Sequence, residues 1–256
     1  MPASDLDLLR EAALEAGRIA MKHFGQKPKI WDKGDGQGPV TEADLEVDAM
    51  LHARLLDAHP DAGWLSEETE DDADRLIREK VFVVDPIDGT KSFINGNHNF
   101  SHSLAISEGG TITAGVVHLP ARDLTFEAAL GKGAFLNGEP IRSSAADAFE
   151  GARVLASESQ FRSGLWSSAP PPVERHFRAS LAYRMCLVAQ GRFDGMVTLR
   201  DTWEWDVAAG VLICEEAGAT ATTRTGDRAV FNQPTPRMAG MLAAAPILHQ
   251  RLMEHL

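Results

Sequence analysis

Cysteine is nearly absent from this chain: Cys186 and Cys214 are the two in 256 residues, each beside apolar neighbours. They read as buried reduced thiols, not as a disulfide framework. Long apolar runs are missing too, and none approaches the length that crosses a bilayer. The opening Met1-Pro2-Ala3-Ser4-Asp5-Leu6-Asp7 is acidic and has no basic stretch followed by an apolar one, so no secretory signal and a cytoplasmic location are expected. Positive charge is also short. The 25 Lys and Arg face 37 Asp and Glu, a formal net charge of −12. That balance argues against a nucleic-acid or anionic-membrane partner. It also means that a phosphate ligand would need a local reversal of sign, which bound divalent cations would supply. No internal repeat or low-complexity tract is present.

What is present is ordinary for a globular chain, with 44% hydrophobic and 24% charged residues. Ser4 with Asp7 makes a capping box ahead of Leu9, Ala13, Ala16, Ala20 and Phe24, and Gly25 is placed to stop that helix. Gly34 to Gly38 reads as a flexible loop. A second helix is expected after Thr41, burying Val47, Met50, Leu51 and Leu55 and ending at His59-Pro60. Val81 to Val84 is a strand-forming run that halts at Asp85-Pro86. From Ser103 to Phe135, β-like runs and an Asn137-Gly138 hairpin signal predict an antiparallel sheet. The second half alternates: a strand at Val154-Leu155-Ala156, a helix from Ser180 to Gln190, a strand at Met196 to Leu199 and a helix from Asp206 to Ala217. This alternation points to an α/β layer, with a boundary placed near residue 145. Residues 1–145 are then an α+β part, and 146–256 an α/β part.

Asp85-Pro86-Ile87-Asp88-Gly89-Thr90 follows directly on the apolar strand. Two carboxylates three residues apart, with a rigid Pro and a permissive Gly, can be aimed at one point. Close anions are costly unless a cation lies between them, and an oxygen-rich site of this kind suits Mg²⁺. An ordinary turn closing a strand is the bland alternative. Thr41 and Asp44 also fit a plain capping box, and Asp206 a helix-start acid favoured by the dipole. Glu67 and Glu68 adjoin an acidic, solvated stretch, and Lys33 alone reads as a surface charge. His98, His102 and His118 invite a zinc reading, and His98 and His102 are four apart, but the Gly96-Asn97-His98-Asn99 context reads as a loop and argues against it. Trp203 and Trp205 fit either a pocket wall or core packing.

The hexapeptide is the signature of the inositol monophosphatase superfamily, which this sequence resembles over nearly its whole length. Val40-Thr41-Glu42-Ala43-Asp44 is similar to that family's Val-Thr-x-x-Asp segment, and Ser66-Glu67-Glu68-Thr69 to its Gly-Glu-Glu-Ser segment with Ser66 in place of Gly. Trp205-Asp206-Val207-Ala208-Ala209-Gly210 is similar to its Trp-Asp-x-Ala-Ala-Gly segment, and Glu216-Ala217-Gly218 follows. The resemblance implies a layered αβαβα sandwich of the sugar-phosphatase kind and a phosphatase with two to three Mg²⁺, for which Mn²⁺ would substitute. It implies that Glu67, Asp85 and the carbonyl of Ile87 hold one ion, that Asp85, Asp88 and Asp206 hold another, and that Glu67 faces a third through water. Asp44 and Thr90 would orient and deprotonate the attacking water. The amides of Gly89 and Thr90 would face phosphate oxygens, and Lys33 would approach the site. Lithium inhibition and a homodimer are implied in the same way.

The resemblance implies a small phosphate ester as substrate, and the residues divide on which one. Lys91-Ser92-Phe93-Ile94 resembles the nucleotidase and histidinol-phosphate branches, whereas Val207 fits the inositol pattern. Ser180, Arg184 and Arg200 are candidate substrate contacts, and two further cations would suit a second phosphate. A 3′(2′),5′-bisphosphonucleotide is the first expectation, inositol 1-phosphate the second, and histidinol phosphate or fructose 1,6-bisphosphate follow. A regulatory binding protein on the same fold is the non-catalytic alternative.

Overall fold

The structure is a computed structural model that describes residues 4–34, 38–162, 164–167 and 169–256. The first three residues and the centre of the expected glycine loop, 35–37, lie outside the described residues. Six helices are found among the described residues: α1 Asp5–His23, α2 Glu42–Ala58, α3 Thr90–Ile94, α4 Leu181–Ala189, α5 Glu204–Glu216 and α6 Pro246–His255.

The first two helices begin as their sequences predict. The Asp7 N–H donates to Ser4 Oγ at 3.2 Å, and the Asp7 carboxylate accepts the Ser4 N–H in return. Thr41 and Asp44 repeat the device at α2. The apolar stripes of α1 and α2 (Leu9, Ala13 and Ala16; Val47, Leu51 and Leu55) pack with Phe82, Val84, Leu104 and Val116 on one face of a sheet. Met50, expected in that stripe, is half-buried.

That sheet has seven strands running in chain order: Gly63–Ser66, Lys80–Asp88, Ser101–Glu108, Thr111–Leu119, Leu124–Ala129, Ala134–Leu136 and Glu139–Pro140. Its neighbours are antiparallel except the first pair, which is parallel with Leu65 opposite Val83. The hairpin at Asn137-Gly138 forms as expected, both residues having positive φ (50° and 82°), as the two-residue turn requires.

α4 and α5 cover the other face. Gly115 lets α5 sit close, since a Cβ there would come 3.0 Å from the Ala209 Cα. Beyond them lies a five-stranded sheet, in the order Glu174–His176, Arg153–Leu155, Gly195–Thr198, Met241–Ala244, Thr220–Thr222. Leu248 and Leu252 of α6 close its outer side against Val154, Val197 and Leu242. The layers therefore run helix, sheet, helix, sheet, helix, the sandwich that was expected.

Two boundaries beside the acids differ from the sequence reading. The Val81 strand runs on through Pro86 to Asp88, and α5 starts at Glu204, two residues early. Trp203 and Trp205 stack at 4.8 Å, and Trp205 belongs to the core between the sheets. Cys186 and Cys214 are free and buried. Among the described residues, no helix is long and apolar enough to cross a membrane.

Candidate active site

The strand Lys80–Asp88 delivers two acids to one end of the large sheet. Its register with Ser101–Glu108 shifts between Asp85 and Asp88. Pro86, which has no N–H to give, sits in that irregular stretch, so the strand continues without losing a ladder bond. The Pro86 carbonyl lies 2.5 Å from His102 Nδ1. Burial and the neighbouring His118 push the His102 pKa down to about 3, so the ring is neutral and Nδ1–H donates. Gly89 then turns the chain at φ +96°, where a Cβ would come 3.1 Å from the Asn99 carbonyl. Thr90, the first residue of α3, has its Oγ1 3.3 Å from Asp44 Oδ1 and 3.1 Å from the Ile87 carbonyl.

Asp206 comes from the first turn of α5. Its Oδ2 accepts from Thr202 Oγ1 at 2.7 Å and from the Trp203 N–H at 3.0 Å. It is thus a helix-start acid and a member of the site at once. Asp85, Asp88 and Asp206 each offer an oxygen within 4.8 Å of the others. Asp88 Oδ2 accepts from Ser180 Oγ at 2.6 Å and from the Ala182 N–H at 2.8 Å. Asp85 Oδ1 is buried and has no hydrogen-bond partner.

The electrostatics follow from that crowding. Burial, then the charges of Glu67, Asp88 and Asp206, push the Asp85 pKa far above the ordinary 3.8. Burial and Asp206 push Asp88 up to about 7. Burial raises Asp206 to about 6 against the opposing bond from Thr202, and raises Asp44 to about 6 against its bonds from Thr41. Three carboxyls this close do not all ionise unless a cation joins them. An all-oxygen donor set with an unmatched buried carboxylate oxygen fits a hard divalent ion such as Mg²⁺ or Mn²⁺.

Glu67 borders the same space, at the end of the parallel edge strand. Lys33 Nζ donates to Glu67 Oε1 at 2.8 Å and to Glu68 Oε1 at 2.7 Å. Burial opposes the Lys33 charge, but Glu67 and Glu68 outweigh it and hold the ammonium above its usual value. Lys33 is therefore no idle surface charge. Glu68 is not solvated either: its side chain is 4% exposed, and burial raises its pKa to about 7.

Residues 2–256 match the sequence profile of the Inositol monophosphatase family. The chain belongs to the inositol monophosphatase family. Within this family of phosphatases, it is 35% identical over 227 residues to a protein of Thermotoga maritima named fructose-1,6-bisphosphatase/inositol-1-monophosphatase, covering 88% of this chain and 86% of that protein. It is 31% identical over 235 residues to a histidinol-phosphatase of Chlorobaculum parvum, covering 89% of each chain. The solved structure of an IMPase from Thermotoga maritima superposes with a TM-score of 0.85 at 30% identity, covering 98% of this chain and 96% of that one.

This member of the inositol monophosphatase family opens over its acids into a cleft of about 650 Å³. Glu67, Asp88, Gly89 and Thr90 line it together with Phe177, Arg184 and Arg200. Ser180, expected as a substrate contact, is fully buried. Its hydroxyl donates to Asp88 and accepts the Tyr183 N–H at the start of α4, so it supports Asp88 and has no surface to offer a ligand. Arg184 reaches the cleft but is largely occupied. Its Nε donates to the Arg178 carbonyl at 2.5 Å, one Nη donates to the Ala179 carbonyl at 3.2 Å, and its guanidinium lies 4.6 Å from the Phe177 ring centre.

Two residues escaped sequence reading. Glu68 looked like part of the acidic run beside it. Asp48, 8% exposed, accepts hydroxyl bonds from Ser66 and Thr69. The available signal for Asp48 was its position: an acid four residues after Asp44, on the same buried stripe as Val47, Leu51 and Leu55.

Proposed function

We propose that the chain hydrolyses a small phosphate monoester with bound Mg²⁺ at the cleft over Asp85, Asp88 and Asp206. The buried, partnerless Asp85 Oδ1 within an acidic triad carries this reading. Glu67, Asp85 and the Ile87 carbonyl would hold one ion, and Asp85, Asp88 and Asp206 a second, with Glu67 facing a third through water. Bound divalent ions neutralise the phosphate, acidify a water and stabilise the leaving oxygen. Asp44 and Thr90 would hold the attacking water and take its proton. Asp44 Oδ1, 3.3 Å from Thr90 Oγ1, is placed for that exchange. The amides of Gly89 and Thr90 would donate to phosphate oxygens, as the first N–H groups of a helix have no partner within it. Lys33 would leave Glu67 when a cation competes for that carboxylate.

For the ester group, a sugar or polyol phosphate now ranks ahead of a bisphosphonucleotide. Arg184 is engaged with two backbone carbonyls, which leaves Arg200 as the cation freer to meet a second phosphate. The relatives described above carry fructose-bisphosphate, inositol-phosphate and histidinol-phosphate names, and neither is named a nucleotidase. One observation favours the bisphosphonucleotide as second reading: the Phe177 ring, 49% exposed, lines the cleft and offers a face to a planar base.

A Mg²⁺-loaded panel of inositol 1-phosphate, fructose 1,6-bisphosphate, histidinol phosphate and 3′-phosphoadenosine 5′-phosphate, ranked by kcat/KM, tests both levels. The sugar or polyol esters should lead. A lead for the adenosine bisphosphate reverses the ranking, and no turnover of any ester with Mg²⁺ or Mn²⁺ contradicts the phosphatase reading of the site.

A further inference from the structure

The turn that carries Glu67 is held by a residue with no role in the chemistry above. The parallel ladder of the edge strand ends at Ser66 opposite Val84, and one more backbone bond follows, from the Glu67 N–H to the Val84 carbonyl at 3.2 Å. Past that point the sheet gives no further support. Asp48 takes over. Ser66 Oγ donates to Asp48 Oδ1 at 2.5 Å, and Thr69 Oγ1 donates to Asp48 Oδ2 at 2.6 Å. One carboxylate therefore grips both ends of Ser66-Glu67-Glu68-Thr69. Each hydroxyl is oriented in turn: Ser66 Oγ accepts the Glu68 N–H at 3.4 Å, and Thr69 Oγ1 accepts from Trp64 Nε1 at 3.3 Å. Asp48 and Ser66 are both buried, so water is a poor substitute for a hydroxyl lost here.

We infer that Asp48 is a positioning residue that, through Ser66 and Thr69, buckles this turn and aims Glu67 at the cation site. The inference rests on reading Glu67 as a metal ligand. α2 then carries two acids one turn apart with separate tasks: Asp44 faces Thr90, and Asp48 fixes the Glu67 turn. Residues that orient a ligand from behind commonly change metal affinity by roughly 10–100-fold when lost.

Thr69→Val removes the hydroxyl at constant size, Thr69→Ser keeps the hydroxyl and removes a methyl, and Ser66→Ala removes the other grip. For each folded protein, Mg²⁺ binding is measured by calorimetry, and backbone amide exchange over 67–69 is measured without metal. Thr69→Val and Ser66→Ala should each weaken Mg²⁺ binding about tenfold and speed that exchange, whereas Thr69→Ser should stay close to the unsubstituted protein. Activity at saturating Mg²⁺ should fall far less than affinity. Unchanged affinity and exchange in both Thr69→Val and Ser66→Ala overturn the inference, as does an equal loss in Thr69→Ser. If a hydroxyl deletion fails to fold, Asp48→Asn with the same two readouts replaces it, and wild-type values there also overturn the inference. No Mg²⁺ uptake by the unsubstituted protein instead contradicts the metal reading of the site and removes the positioning role with it.

Discussion

The floor and the rim of the cleft are built differently. Asp85 and Asp206 cluster with Asp88, which lines the cleft, and Asp44 meets Thr90, which lines it too; these acids form a floor of buried or half-buried groups carried by the strand Lys80–Asp88 and the starts of α2 and α5. Asp44 closes a capping box for α2, Asp206 accepts the Trp203 N–H at the start of α5, and Asp88 accepts bonds from the first turn of α4. The residues that cap the helices are the residues that crowd the acids, so floor geometry is set by backbone elements. The rim comes from less regular chain: Phe177 and Arg200 lie outside helices and strands, and both are exposed. On the proposed reading, chemistry would sit on regular elements and ligand choice on irregular segments, a common division in enzymes.

Breaking the floor should have the largest effect. Asp88→Asn should lower kcat/KM by more than about a hundredfold, beyond the usual cost of losing a supporting residue around a metal. Without metal and at about pH 8, above the Asp88 pKa of about 7, the same variant should melt higher than the unsubstituted protein, because a repelling charge is gone; a lower melting temperature there contradicts the crowding account. Removing the partner of Asp44, the proposed proton acceptor, comes next. Thr90→Val should reduce kcat by roughly a hundredfold or more and leave Mg²⁺ affinity nearly unchanged, as single-turnover rates and calorimetry together would reveal.

The third prediction concerns pH. The folded, metal-free floor holds protons to about 6 at Asp44 and Asp206 and about 7 at Asp88, against an ordinary value of 3.8. A raised carboxyl pKa stabilises the fold below the unfolded value, and that contribution is lost as pH rises through the folded one. Metal-free protein should therefore lose this stability between about pH 4 and pH 7, and Mg²⁺ should raise the melting temperature more at about pH 8 than at about pH 5. The smallest effect belongs to the rim. Arg200→Ala should weaken kcat/KM for a bisphosphate about tenfold more than for a monophosphate, and equal losses for both would take Arg200 out of substrate choice.

This contrast also explains what could be read from the chain. Ser4 with Asp7 and Thr41 with Asp44 were legible because a capping box is a local rule of spacing. The strand through Pro86 was not, because Pro usually ends one, and the register shift that accommodates it belongs to the pairing with Ser101–Glu108. Glu68 reads as solvated from its acidic neighbours, and only folding brings Lys33 over it. Arg184 reads as a free cation until the Arg178 and Ala179 carbonyls are placed beside it. The parallel pairing of Gly63–Ser66 with the Val81 strand has no local signature either.

The claim that crowded acids need a cation is tested most directly by titrating Mg²⁺ into metal-free protein at about pH 6.5, in two buffers of different ionisation enthalpy. Saturable binding with protons released from the Asp85, Asp88 and Asp206 cluster is the predicted result, and both the binding and the release should shrink in Asp88→Asn. A titration with no saturable heat, or one whose heat is the same in both buffers, would contradict it.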